Sequence, residues 1–306
     1  MLSNMSGDVI GTATASAPGT CGELVQGMTG GTHFLVTCPI NQFSRATVTL
    51  RVADLAESVA VVKGIDHLPK ARQAVATALE KLAPHLGIAD LTAEVAIANP
   101  IPAGKGMGSS SADITAALGA VGTAAGQPFS PESIARIALS VEPTDGVMFP
   151  GIALIDHRCG SISESLGAPP PLEVIVIDTG GTVDTLEFNR TDRTALWQEV
   201  ASRTDEALEL VREGIRKDDP ELVGRGATIS ARAGHLPQMA DWVERAAAFA
   251  DEQGVAGINV AHSGTVVGIL LDARERRSKP VYRRALEAFA DAESVQHFRM
   301  IGGGVR

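Results

Sequence analysis

The chain has 306 residues, 44% apolar and 20% charged, enough for one large domain or two ordinary ones with proper cores. Its net charge of −10 argues against nucleic acid and anionic membranes, which select basic patches. Three scattered cysteines (Cys21, Cys38, Cys159), a start without a cationic and apolar leader, and no apolar run of membrane length point to a reduced, soluble, cytoplasmic protein. In chain order, residues 12–17 and 34–38 read as short strands around a Gly-rich connection, 27–31. Residues 46–52 and 58–63 read as further strands rich in Val and Thr. A helix over 69–86 carries Ala74, Ala78, Leu79 and Leu82 on one face, with proline in its first turn. Residues 91–98 alternate as a strand and lead into a glycine-rich loop, followed by helices over 109–125 and 131–141, the second capped by Ser130. Strands are expected at 152–156 and 161–165, then a Gly/Pro-rich boundary from Gly167 to Pro171 and an apolar strand at 172–177. The second half continues with helices at 193–217, 220–231 and 238–253, and with strands at 255–260 and 265–271. A helix at 279–289 and a strand near 295–301 close it. Strands and helices alternating in two halves predict an α+β protein of two domains, 1–167 and 168–306.

The loop from Pro100 to Asp113 carries the chemistry. Gly104, Gly106 and Gly108 stand at alternate positions before Ser109, Ser110 and Ser111, and a helix-forming run follows. Glycines let backbone approach a ligand, and N–H groups backed by a helix N-terminus cradle phosphate oxygens. On an acidic chain such a site needs local positive potential from amides and a metal ion. A Walker A motif would need glycine where Asn99 stands and Ser or Thr where Gly106 stands, and a dinucleotide fingerprint would need glycine at Ser109. Pro102, Ala103, Gly104, Lys105, Gly106, Met107, Gly108, Ser109 and Ser110 resemble instead the second motif of the GHMP small-molecule kinases, with Met107 in place of leucine. The resemblance implies a GHMP kinase fold: an N-terminal domain like domain 2 of ribosomal protein S5, a ferredoxin-like C-terminal domain, and an ATP site between them.

Two further motifs follow the same family with departures. Ala17 to Gly27 has Thr20 where sugar and mevalonate kinases carry Arg or Lys, so a cationic phosphate partner is missing there. Cys21-Gly22-Glu23-Leu24 resembles the narrower branch of L-threonine kinases of cobalamin biosynthesis, which directs attention to Glu23 and Gln26 for substrate contacts; a solvated turn is the alternative for Glu23. In the third motif His262-Ser263-Gly264 replaces the usual Thr-Gly-Ala-Gly, again in the manner of that branch, and His262 is open between a structural and a direct role. Gly302 to Gly304 reads either as a flexible end or as a wall of the site, and Asp178 to Asp184 either as a substrate loop or as a Gly-Gly turn.

Glu142 ends a helix and Asp145 lies in the turn beyond it. Carboxylates there oppose the helix dipole and want a reason. Glu142 and Ser110 are hard oxygen ligands suited to magnesium, which keeps most of its waters. The resemblance implies Mg²⁺ on Glu142 and a base at Asp145, although the connection between them is shorter here than in the family. The expected reaction is phosphoryl transfer from ATP to the hydroxyl of free L-threonine, with Lys105 a charge partner at the loop. A cation for the amino-acid carboxylate is sought among Arg45, Arg299 and Arg306. Expected partners are ATP and a small hydroxyl-bearing amino acid, with no nucleic acid, no membrane and a homodimer left open. Homoserine kinase, a decarboxylase of the same fold and a non-catalytic binding protein are the alternatives.

Overall fold

In the computed structural model, which describes residues 7–53, 61–183, 190–191 and 193–306, the frame is a long bent hairpin. Strands β1 (Val9–Thr29) and β2 (Thr32–Val52) run antiparallel and turn at Gly30 and Gly31, whose φ angles of 56° and 83° fit a two-residue turn open to glycine. The short strands expected at 12–17 and 34–38 therefore belong to one continuous pair, and residues 18–27, which fall outside both expected strands, are strand too. Register shifts between Pro18 and Thr20, Thr20 and Glu23, and Glu23 and Val25 supply the reason. Such bulges bend a strand without ending its pairing, so the segment lost the alternation by which strands are recognised.

Strands β3 (Val61–Lys63) and β4 (Leu91–Ala98) extend the sheet beyond β2, the first parallel to β4 and the second antiparallel to β2. Residues 58–60 of the expected third strand lie outside the described residues. Helices α1 (Pro69–Leu86), α2 (Ser109–Ala124) and α3 (Pro131–Leu139) cover this part of the sheet. Val48, Leu79, Ile114 and Leu118 are fully buried in its core. Small residues along α2 (Ala116, Ala117, Gly119, Ala120) bury it on nearly all sides, which holds its N-terminus rigid.

Strands β5 (Ile152–Ile155) and β6 (Ser163–Gly167) form a side branch on β2. The second half adds β7 (Leu172–Asp178), β8 (Gly257–Val260), β9 (Val266–Asp272) and β10 (Ser294–Arg299), in the order β10-β7-β9-β8-β1-β2-β4-β3. The helix expected at 193–217 is two, α4 (Thr194–Glu199) and α5 (Ala201–Lys217), because Val200 leaves helical geometry (ψ 3°) and packs with Trp197 against Met28. Helices α6 (Pro220–Gly234), α7 (Ala240–Gln253) and α8 (Ser278–Ala288) complete the layer. The halves join where Glu23 of β1 pairs with Val260 of β8, over a shared core that includes Leu24, Met107, Val174 and Leu270. Gly302 to Gly304 is tied down: Gly303 N–H donates to Gly151 O (2.8 Å) and Gly304 N–H to Val147 O (2.8 Å). Among the described residues no helix is long and apolar enough to cross a membrane.

Candidate active site

Where β1, β8 and the N-terminus of α2 converge lies a cavity of about 410 Å³, lined by Gly106, Gly108, Ser110, Glu142, Asp145 and Glu23 among others. Gly104, Gly106 and Gly108 have φ of 73°, 80° and 65°, a region side-chain-bearing residues avoid. At Gly106 a Cβ would stand 2.4 Å from the Cβ of Ala261 and 3.0 Å from the Cα of Gly264. The loop is threaded between the other two motifs. Thr20 N–H donates to Met107 O (2.8 Å), Gly22 N–H to Gly106 O (3.2 Å) and Thr265 N–H to Lys105 O (2.9 Å). Gly108 hands the chain into α2, so the amides of Ser109, Ser110 and Ser111 have no intrahelical carbonyl and offer an anion site at the positive end of the helix.

The three serines have separate surroundings. Ser109 faces inward, donating to Ile101 O (3.0 Å) and accepting from Asn99 Nδ2 (3.0 Å), which also donates to Asp113 Oδ1 (2.7 Å). Ser44 donates to the same Asp113 oxygen (2.6 Å). Burial raises the Asp113 pKa, against these two hydrogen bonds. Ser110 donates to Glu142 Oε1, and Lys70, the second residue of α1, places its ammonium 2.5 Å from Glu142 Oε2. Ser111 accepts from Asp145 N–H (3.2 Å) and from Thr144 Oγ1 (3.2 Å), while Gly146 N–H donates to Thr37 Oγ1 (3.1 Å). These bonds hold the turn that carries Asp145. A Cβ at Gly108 would stand 3.0 Å from Asp145 Oδ2, which places that carboxylate beside the helix N-terminus.

Burial pushes the Asp145 pKa up to about 6, against the Ser111 hydrogen bond and with help from the nearby Glu142 charge. Glu23, 5% exposed, is raised further: burial dominates, Asp145 adds to it, and the His262 amide opposes it. Glu23 is thus a buried group on a bulged strand, and its Oε2 has no hydrogen-bond partner. Gln26 and His262 lie deeper, with Gln26 Oε1 2.6 Å from His262 Nδ1. Ser263 lines the cavity and Gly264 packs against the loop backbone.

Lys105 is placed differently from its neighbours. Its ammonium is buried between Asp178 (2.9 Å) and Glu293 (2.8 Å), so it braces the loop against the second half of the molecule. Asp178 also accepts from Thr265 Oγ1 (2.9 Å) and Gly180 N–H (3.0 Å), and Val183 reaches the cavity wall; Asp184 lies outside the described residues. Neither Arg45, Arg299 nor Arg306 lines the cavity, and Arg306 sits over the Phe43 ring at 5.0 Å. Sequence reasoning assigned no role to Lys70 and Asn99, which lie outside the motifs, or to Asp113, the last residue of the glycine-loop stretch. The one available signal was the position of Lys70, just after a proline at a helix start.

For a divalent cation, Ser110 and Glu142 offer adjacent hard oxygen donors. Among the described residues no group of three or more His, Cys, Asp or Glu forms a cage. A hydroxyl and a carboxylate side by side suit magnesium, which completes its shell with water and phosphate oxygens.

Residues 72–150 match the GHMP kinases N terminal domain. An L-threonine kinase of Citrobacter freundii is 33% identical over 262 residues, covering 85% of this chain and 86% of its own. An L-threonine kinase of Salmonella typhimurium is 29% identical over 313 residues, covering 99% and 98%. A homoserine kinase crystal structure from Cytophaga hutchinsonii superposes with a TM-score of 0.69 at 16% identity over 96% of each chain, a likeness of fold.

Proposed function

The chain belongs to the GHMP kinase family, and we propose that it transfers the γ-phosphoryl group of ATP to the side-chain hydroxyl of free L-threonine. The observation that carries this reading is the convergence on one cavity of a helix-backed amide loop, the Ser110–Glu142 donor pair and Asp145. The L-threonine kinase relatives supply the acceptor. The amides from Gly106 to Ser110 hold the triphosphate. Ser110 and Glu142 would hold a magnesium ion, which neutralises phosphate charge when bound. Lys70 places a second positive charge on the other oxygen of Glu142.

The threonine hydroxyl oxygen forms a bond to the γ-phosphorus as the bond from that phosphorus to the bridging oxygen of ADP breaks. The hydroxyl proton passes to Asp145, and the products are ADP and O-phospho-L-threonine. A carboxylate with a pKa of about 6 is ionised at neutral pH yet basic enough to orient the hydroxyl and accept its proton. Glu23 and Gln26 contribute polar contacts to the acceptor. The product fits a role in making the aminopropanol linker of cobalamin.

ADP release with magnesium-ATP is to be measured against L-threonine, L-homoserine, L-serine, galactose and mevalonate, and against mevalonate diphosphate with carbon dioxide detection. Threonine-dependent ADP with phosphothreonine as product is expected. Turnover of L-homoserine in preference would replace the acceptor, a reading favoured by the homoserine kinase likeness in fold. ATP binding without any turnover would overturn the kinase assignment.

A further inference from the structure

Behind Glu23 stands a group of polar side chains of which the reading above uses only Gln26. His262 is its centre. Its amide reaches Glu23, its Nδ1 meets Gln26 Oε1, and its ring stacks on Trp197 at 6.0 Å and 24°. His157 meets the His262 ring edge-on at 4.9 Å, and His33 in turn meets His157 at 6.4 Å. The surroundings are cationic. Burial first, then His157, Arg158, Arg193 and His33, hold the His262 pKa well below its ordinary range. Burial and Arg158 lower that of Arg193. The charges of Arg158 and Arg193 oppose each other, which an anion would relieve.

The orphaned atoms on three of these side chains are all donors. Gln26 Nε2, Trp197 Nε1, and Arg158 Nε and Nη2 are closed from solvent and have no hydrogen-bond partner. Nε and Nη2 form one edge of the guanidinium, the fork that takes both oxygens of a carboxylate in parallel. A buried donor without an acceptor destabilises the fold, so a set of them marks a place that a ligand's acceptors complete. The group adjoins the reacting centre: Thr144 N–H donates to His157 O (3.0 Å), one residue from Arg158 on one side and from Asp145 on the other.

We propose that Arg158, with Gln26 and Trp197, anchors the α-carboxylate of the amino-acid acceptor, Arg158 donating from Nε and Nη2. This rests on the reading of a free amino acid as substrate. The anchor explains how a small zwitterion is selected over neutral alcohols, because removing the carboxylate leaves the fork unpaired.

The test combines a variant with a substrate change, read by steady-state kinetics and by titration calorimetry. In Arg158→Lys, which keeps the charge and loses the fork, KM for L-threonine should rise about 10- to 100-fold. Its kcat and its KM for ATP should stay within about threefold. The natural protein should prefer L-threonine to L-threoninamide by a similar factor, and the variant should lose that preference. A variant that binds L-threonine as tightly as the natural protein, or that keeps the full preference against the amide, overturns the anchor. Arg158→Gln is the second variant should the lysine form melt early. Equal affinity of the natural protein for acid and amide overturns the proposal without any variant. If no amino acid is turned over but L-threonine or L-homoserine binds and Arg158→Lys abolishes that binding, the anchor stands and the threonine kinase reading falls. If L-threonine is turned over with unchanged KM in both variants, the kinase reading stands and the anchor falls.

Discussion

The two ends of the cleft handle charge in opposite ways. Around the glycine loop, charged side chains are tied into local ion pairs and hydrogen bonds. Lys105 lies between Asp178 and Glu293, and Asp113 accepts from Ser44 and Asn99, so the face toward the cavity is made largely of backbone amides. Around Glu23 the carboxylates of Glu23 and Asp145 are pushed up by burial, and donors on Gln26, Trp197 and Arg158 lack acceptors. A phosphate site made of amides needs rigidity, which satisfied hydrogen bonds supply. An acceptor site that discriminates among small alcohols needs polar groups that only the correct molecule completes.

Breaking the junction between the two ends should have the largest effect. Glu142→Gln removes the charge that Ser110 and Lys70 share and should lower kcat about 1000-fold, with a rise in the magnesium concentration needed for half activity. A steady-state assay across magnesium concentrations checks it; a loss below tenfold would remove Glu142 from the machinery. Lys105→Met should act on stability more than on chemistry. Leaving Asp178 buried without its cation should cost about 3 kcal/mol in urea unfolding, the low end for a broken buried pair because Glu293 is half exposed. A large rise in KM for ATP with stability intact would instead make Lys105 a phosphate contact.

Asp145→Asn tests the acceptor end. A loss of about 100-fold in kcat is expected, with the rise of kcat/KM near pH 6 abolished. Glu142 is the neighbouring charge that raises Asp145, so Glu142→Gln should shift that limb downward in the turnover the variant retains. The same residue also bears on stability. Folding raises the Asp145 pKa from 3.8 to about 6, so the folded state binds the proton more tightly and the burden of its charge is felt above pH 6. Asp145→Asn should therefore melt higher at pH 8, by at most about 3 kcal/mol of stability, with the gain fading below pH 6 and gone below 3.8. Thermal melts at the two pH values decide the sign.

Legibility in the sequence followed the same division. The helix from Pro69 to Leu86 and the strand from Leu91 to Ala98 stand at their expected limits, because proline, glycine and alternation are local signals. The glycine loop was equally legible, since positive φ at Gly104, Gly106 and Gly108 is a demand of the backbone itself. The bulged stretch of β1 was not, because its shifts in register depend on what β2 and β8 place opposite it.

The order of amino acids alone specifies an α+β chain with a phosphate-binding loop before a buried helix, two acids after the next helix, and motifs shared with the GHMP kinases. Those features rest on neighbours within a few residues of one another, where spacing alone sets geometry. It took the packing of distant segments to bring Lys70 to Glu142 across 72 positions, to turn Lys105 toward Asp178 and Glu293, and to gather Arg158 and His262 behind Glu23. A side chain's partner across the fold depends on how the sheet joins distant strands and on which charges burial forces together, and no local pattern encodes either.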